Sequence, residues 1–321
     1  MPILESTYPG PPAFLFNGHL ETIVPSLYRR VKGINYQREK ISTLDGDFLN
    51  LDWSKVGSHK LLIISHGLEG DSERHYARGL VKLFNQNGID ALVWNNRTCG
   101  GEINDLPILY HHGASYDLDT TVQHVIKEYN YTEIYLSGIS MGGAQTLKYL
   151  GEKGQSLPKQ IKKSAVYSTP CNLPSSAATL KLKSNIFYKK RFLGKLKKKI
   201  EAKAQQYPEL IDLKLLEKVK DFDEFDTLFT AKIHGFKDAS DFYQTVSADN
   251  WMSEITIPTL ILNAKNDPLL GPECYPIELA EKKSEIILEM PERGGHTGFA
   301  LKGNEFTWAE YRLLEFLTYK F

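Results

Sequence analysis

Cysteine is scarce in this chain: Cys99, Cys171 and Cys274 stand far apart among 321 residues. An odd, dispersed set gives neither a disulfide framework nor the spacing of a thiolate metal site, and it suits a reducing compartment. An excess of one charge is also missing, because 39 Lys and Arg balance 39 Asp and Glu. No global field therefore recruits nucleic acid or an anionic surface. Long hydrophobic runs are absent as well; no stretch approaches the roughly 18 apolar residues that a membrane-spanning helix needs. The start, Met1-Pro2-Ile3-Leu4-Glu5-Ser6, lacks a basic segment followed by an apolar run, so no signal peptide is expected. These absences predict a soluble, cytoplasmic protein. Hydrophobic residues, by contrast, make up 41% of the chain, enough for one large core with or without an insertion.

Short apolar runs alternate with stretches of helical spacing. Strands are expected at Phe48 to Trp53 (half-buried by its alternation), Lys60 to Ser65, Ala91 to Trp94 and, directly before Gly138, Tyr135 to Ser137. Three more follow at Ser164 to Ser168, Thr259 to Asn263 and Glu285 to Glu289. Between them, Tyr76, Leu80, Leu83 and Phe84 mark one helix that Gly88 closes, and Leu118, Val122, Val125 and Ile126 mark another. An amphipathic helix around Trp308 to Phe316 ends the chain. This alternation predicts an α/β fold with a mainly parallel central sheet flanked by helices.

The expected organisation is a first core segment at 1–170, with a Pro- and aromatic-rich lead-in at 1–40, and a second at 250–321. Between them, 171–249 shows no convincing strand and reads as a helical cap. Its first part is basic, from Lys181 to Lys203, and its second part is acidic around Asp221 to Asp226. The lysines, with Phe187, Tyr188 and Phe192, would suit contact with an anionic membrane surface. A solvated helix face offset by the acidic stretch accounts for them more simply.

The chemistry centres on Gly138-Ile139-Ser140-Met141-Gly142, between a strand and a helix. Two glycines allow a turn tight enough to push the Ser140 hydroxyl clear of the sheet edge. Alone the pentapeptide is weak evidence in a chain with 24 glycines. Two later strand ends strengthen it: Asn266-Asp267-Pro268 follows one, and Gly294-Gly295-His296-Thr297-Gly298 follows the other. Ligands of such sheets sit beyond the C-terminal strand ends. An imidazole can take the serine proton near neutral pH, and a carboxylate can hold its tautomer. Ser140, Asp267 and His296 are therefore the candidate catalytic residues. The backbone amides of Leu68, in His66-Gly67-Leu68-Glu69-Gly70, and Met141 are the candidate oxyanion donors. His66 is expected to be structural, and Cys99, with no base nearby, to be structural or pocket-lining. This chemistry needs no cofactor, and His19, His111 and His112 form no metal-ligand pattern.

With these motifs in order, the chain resembles the YheT-like branch of the α/β-hydrolases from Phe14 to about Phe316. Phe16-Asn17-Gly18-His19-Leu20-Glu21-Thr22-Ile23, the His66 loop, Asn96-Arg97-Thr98-Cys99-Gly100-Gly101 and the triad segments carry the likeness. Thr98 departs from it, standing where the family usually has Gly. The resemblance implies an α/β-hydrolase fold and a serine carboxylesterase acting on short- to medium-chain acyl esters or lipids. Acyl transfer to an alcohol would use the same triad. His66/Asp71 and His112/Asp117 both fit the loose His-x-x-x-x-Asp pattern of some acyltransferases. A non-catalytic binding protein is disfavoured, because all three triad residues are present.

Overall fold

Apolar runs that read as buried strands become the middle of one nine-stranded sheet in a computed structural model that describes residues 2–319. Met1, Lys320 and Phe321, the outermost residues of the expected first and last core segments, lie outside the described residues. The strands are β1 (Ile3–Leu4), β2 (Gln37–Ser42), β3 (Phe48–Ser54), β4 (Lys60–Ser65), β5 (Asp90–Asn95), β6 (Glu133–Ile139), β7 (Ile161–Tyr167), β8 (Thr259–Leu262) and β9 (Ile286–Glu289). Their order is β1-β9-β8-β7-β6-β4-β5-β3-β2. Pairing is parallel from β1 through β5; β3 and β2 close that edge antiparallel.

Each central strand is buried on both faces, and residue parity divides the core into two layers. Leu61, Ile63, Leu92, Trp94 and Leu136 pack with Leu118, Val122, Leu147 and Leu150. These four come from α3 (Ser115–Glu128) and α4 (Met141–Lys153), which follow α1 (Gly18–Tyr28) and α2 (His75–Gln86) in the chain. Leu62, Ile64, Val93 and Tyr135 face the other way, against Leu80 and Phe84 of α2 and Leu313 and Phe316 of the C-terminal helix Trp308–Thr318. Each such side chain contributes about 1.5–3 kcal/mol on burial. Gly88, at φ 70°, ends α2 in the left-handed conformation that its position requires.

Two expectations change at the edges. The Pro- and aromatic-rich lead-in holds regular elements: β1 extends the sheet beside β9, and α1 starts at an Asn17 cap that accepts the Leu20 amide at 2.9 Å. The alternation in β3 is real, but its polar face is buried. Asp52 there accepts from Arg38 at 2.7 Å, Ser72 at 2.6 Å and Asn95 at 2.7 Å, so the strand is covered by hydrogen bonds rather than by water.

Between β7 and β8 the described residues form helices and no strand. The longest are α5 (Leu173–Leu180), α6 (Ile186–Gln206) and the helix Ala239–Val246. Leu193, Leu196, Ile200 and Ala204 form a stripe on α6 that packs on Phe222, Phe225 and Phe229. The lysines of α6 are not one solvated face. Lys203 is fully buried and donates to the Asn104 and Leu106 carbonyls, and Lys197 donates to the Leu216 and Val219 carbonyls. Lys181 pairs with Asp223, which joins the basic and acidic parts. Of the aromatics, only Phe187 is exposed; Tyr188 turns inward to His19 and Phe192 lines a cavity.

Thr98 follows β5 at φ 64°, and its buried hydroxyl has no partner. A β-branched residue is strained there, whereas Gly is not. Thr98→Gly is expected to raise stability by about 1 kcal/mol, allowing for the extra freedom of Gly in the unfolded chain. Chemical denaturation of both proteins checks it; an unchanged or lower midpoint would contradict the strain.

Candidate active site

The turn after β6 places Ser140 at φ 55°, ψ −123°, in a region that L-residues rarely adopt. Its neighbours explain how the chain tolerates this. A Cβ on Gly138 would lie 2.3 Å from the Gly142 carbonyl oxygen, and one on Gly142 would lie 2.1 Å from the Ser65 carbonyl oxygen. Only hydrogen fits at either position, so the turn can press against the end of β4. Strain of this kind recurs along the same edge. Among the described residues, the non-glycine residues with positive φ are Glu69, Thr98, Ser140, Ser168, Thr297 and Phe299. All of them lie in loops that follow parallel strands. Such conformations persist only where surrounding structure enforces them, and they gather at functional sites.

The structure brings Ser140, His296 and Asp267 together. The Ser140 hydroxyl lies 2.9 Å from His296 Nε2, and His296 Nδ1 lies 2.8 Å from Asp267 Oδ2. With Asp267 ionised, Nδ1–H donates to the carboxylate and Nε2 is left to accept the serine proton. Asp267 is buried and also accepts the Leu269 amide at 2.9 Å.

The loop that carries His296 is held mainly from α1, a support the sequence reading did not identify. Thr22 Oγ1 accepts the His296 amide at 2.8 Å, and the buried carboxylate of Glu21 accepts the Gly294 amide at 2.6 Å. Glu21 also pairs with Arg293 at 2.6 Å, and Asn266 accepts the Gly295 amide at 3.0 Å. The usable signal was a carboxylate and a hydroxyl one turn beyond a capping Asn, since both were in the N-terminal motif already noted.

The His66 to Gly70 loop packs against the serine turn: a Cβ on Gly67 would lie 3.2 Å from Ser140 Cβ. The Gly67 amide donates to Tyr76 Oη at 3.0 Å, and the Glu69 amide to Tyr110 Oη at 2.9 Å. Among the described residues, no turn, cap or side-chain acceptor engages the Leu68 or the Met141 amide. His66 is structural: Nδ1 donates to the Gly67 carbonyl at 2.8 Å and Nε2 accepts the Asn96 amide at 3.1 Å. Burial pushes its pKa down to about 4, so it stays neutral. The looser acyltransferase pattern does not assemble as pairs, because His66 is held this way and Asp117 binds Arg97 at 2.8 Å.

Cys99 packs on Tyr110 and Met141, and burial raises its thiol to about 11. A basic neighbour is present after all, from the helical segment: Lys199 Nζ lies 3.0 Å from Cys99 Sγ and 2.9 Å from Glu69 Oε1. Lys195 adds a 3.2 Å bond to the Glu69 carbonyl. Residues 100 positions apart in sequence meet here, so local spacing carried no sign of them. Among the described residues, no group of three or more His, Cys, Asp or Glu side chains is placed to hold a metal ion.

A mainly apolar cavity with about 850 Å³ of empty space adjoins Ser140 and His296. Leu68, Leu173, Leu180, Phe192, Phe222 and Phe225 form part of its wall. An apolar wall interrupted by a few polar groups is the usual lining of a site for a small organic ligand. Within the wall, burial raises the Asp226 carboxyl to about 6, while Thr230 and Tyr243 bond to it at 2.6 Å and 2.7 Å.

Comparison with known proteins shows the family and the fold. The family model Hydrolase_4, described as serine aminopeptidase, S33, matches residues 57–282. A protein of Escherichia coli (strain K12) named "Putative esterase YheT" is 32% identical, over 94% of this chain and 90% of that protein. Phospholipase ABHD3 of Mus musculus is 28% identical over 93% of this chain and 74% of that protein. Monoacylglycerol lipase of Saccharomyces cerevisiae is 27% identical over 85% of this chain and 61% of that protein. Among solved structures, the Pyrococcus furiosus esterase Pf2001 superposes with a TM-score of 0.58 at 19% identity, covering 90% of this chain and 95% of that one. That likeness, at such identity, carries the fold.

Gly142→Ala would separate the serine turn from the end of β4. A misplacement of about 1 Å at a reacting group costs on the order of 10²-fold in rate. Ester hydrolysis by the folded variant is expected to fall by at least that factor; retention within threefold (roughly 0.7 kcal/mol of barrier) would contradict the packing constraint.

Proposed function

The chain belongs to the Hydrolase_4 family and is an α/β-hydrolase of the esterase and lipase type, and from that premise we propose that it cleaves carboxylic esters through an acyl group on Ser140. The observation that carries the reading is the run of contacts from Ser140 Oγ through His296 to Asp267 beside an apolar cavity. His296 Nε2 takes the hydroxyl proton as Ser140 Oγ attacks the ester carbonyl. Asp267 holds the imidazole in orientation and stabilises the imidazolium. The oxyanion of the tetrahedral intermediate is received by the Leu68 and Met141 amides, where one donor is worth about 10²–10³ in turnover. His296 then protonates the leaving alcohol. Water activated by His296 completes the cycle by releasing the acid.

The apolar cavity takes the acyl chain, of short to medium length, against its leucine and phenylalanine wall. Segment 171–249 acts as the cap, since α5, α6 and the residues after them supply much of the cavity wall. The names of the relatives, an esterase, a phospholipase and a monoacylglycerol lipase, fit an ester of a small or lipid-derived alcohol.

Hydrolysis of p-nitrophenyl esters from acetate to palmitate, beside Ser140→Ala, tests the reading. The expected result is an optimum at short to medium chains and a loss of more than about 10³-fold in the variant. Equal rates for the two proteins would sink it.

A further inference from the structure

Ser140 and His296 line a second cavity besides the apolar one. It has about 630 Å³ of empty space, and its wall includes Thr22, Tyr188, Arg74 and Arg191. A more open cleft adjoins it, sharing Ser26, Arg74 and Arg191 and continuing past Arg30, Lys32 and Arg78.

The charges here are unevenly matched. Arg78 has Glu73 at 2.8 Å, and Arg29 has Glu310 at 2.6 Å. Among the described residues, Arg74 and Arg191 form no ion pair, and Arg74 Nε is buried without a hydrogen-bond partner. Lys195 stands close enough for burial and both arginines to lower its pKa, against the opposing charges of Glu69 and Asp71. Burial, together with the charges of Arg29, Arg74, Arg30 and Arg191, holds His75 down to about 3. Arg74 also occupies the N-cap of α2 and makes no capping bond, at the positive end of the helix dipole. Cations gathered at that end destabilise the fold unless an anion meets them.

Resting on the ester-hydrolase reading above, we propose that the second cavity binds a phosphate group carried on the alcohol part of the ester, gripped by Arg74 and Arg191, while the acyl chain fills the apolar cavity. Both arginines share a cavity with the nucleophile, so the anion sits on the leaving-group side of the scissile bond. Guanidinium groups present forked donors that match phosphate oxygens, and partial burial strengthens the attraction. Two arginines without an ion pair among the described residues offer two donor forks, which match the three oxygens of a phosphate better than the two of a carboxylate.

The test compares octanoyl esters of glycerol, glycerol 3-phosphate and glycerate as substrates. Wild type is expected to favour the phosphate ester over the neutral one by about tenfold or more in kcat/KM, mainly through KM. In Arg74→Gln/Arg191→Gln that ratio should fall towards one, and Arg74→Lys/Arg191→Lys should restore part of it. Free glycerol 3-phosphate should compete with octanoylglycerol in wild type, which keeps the proposal testable if the double variant does not fold. A wild type that cleaves the neutral ester at least as well, with no competition, overturns the anion site and leaves the hydrolase reading intact. Preference for the glycerate ester overturns the assignment to phosphate. Inactivity on these esters and on the p-nitrophenyl series overturns the hydrolase reading itself.

Discussion

The site depends on a contact that excludes side chains. Ser140 holds its strained positive-φ conformation because Gly142 lies against the Ser65 and His66 carbonyls and Gly138 against the first turn of α4. Strain of this kind costs about 1–3 kcal/mol, and the buried centre of the sheet sustains it. β6 lies between β4 and β7, so the nucleophile and the His66 to Gly70 loop leave the same edge from adjacent strands. Their closeness is a consequence of strand order and two missing Cβ atoms.

The other half of the site is assembled across the whole length of the chain. The His296 loop is rich in glycine and would have little definition of its own. Glu21 and Thr22 define it by taking its backbone amides, and Asn266 does the same from the loop that carries Asp267. Glu21 is buried, with Arg293 as its countercharge, so this junction resists rearrangement. On the opposite side, Lys195 and Lys199 of α6 fasten Glu69, next to the candidate oxyanion amide of Leu68. The helical segment therefore both walls the cavity and braces the loop beneath it.

Much of this was legible in the sequence where the signal was local. The apolar runs of β4, β5 and β6 stand out because strands buried on both faces need continuous hydrophobic residues. Ser140, Asp267 and His296 could be read because each sits beside turn residues at a strand end, in a recognisable order. Other features were hidden for physical reasons. β2, Gln-Arg-Glu-Lys-Ile-Ser, is an edge strand with a mostly exposed, charged surface and so lacks an apolar pattern. β1 has only two residues and exists through its partner β9. Lys199, Lys203 and Asp52 look like surface residues, because sequence spacing does not reveal the distant partners that bury them. Tyr188 and Phe192 read only as candidate membrane anchors beside the lysines, because spacing gives no sign of the contact of Tyr188 with His19 or of the cavity that both line.

The central claim is that Ser140 is the nucleophile that carries the acyl group. Labelling the folded protein with an alkyl fluorophosphonate, then locating the adduct by peptide mass spectrometry, tests it most directly. A single adduct on Ser140, with ester hydrolysis lost in proportion to labelling, is the predicted result. Full activity after complete labelling of Ser140, or an inactivating adduct on another residue, would contradict the account.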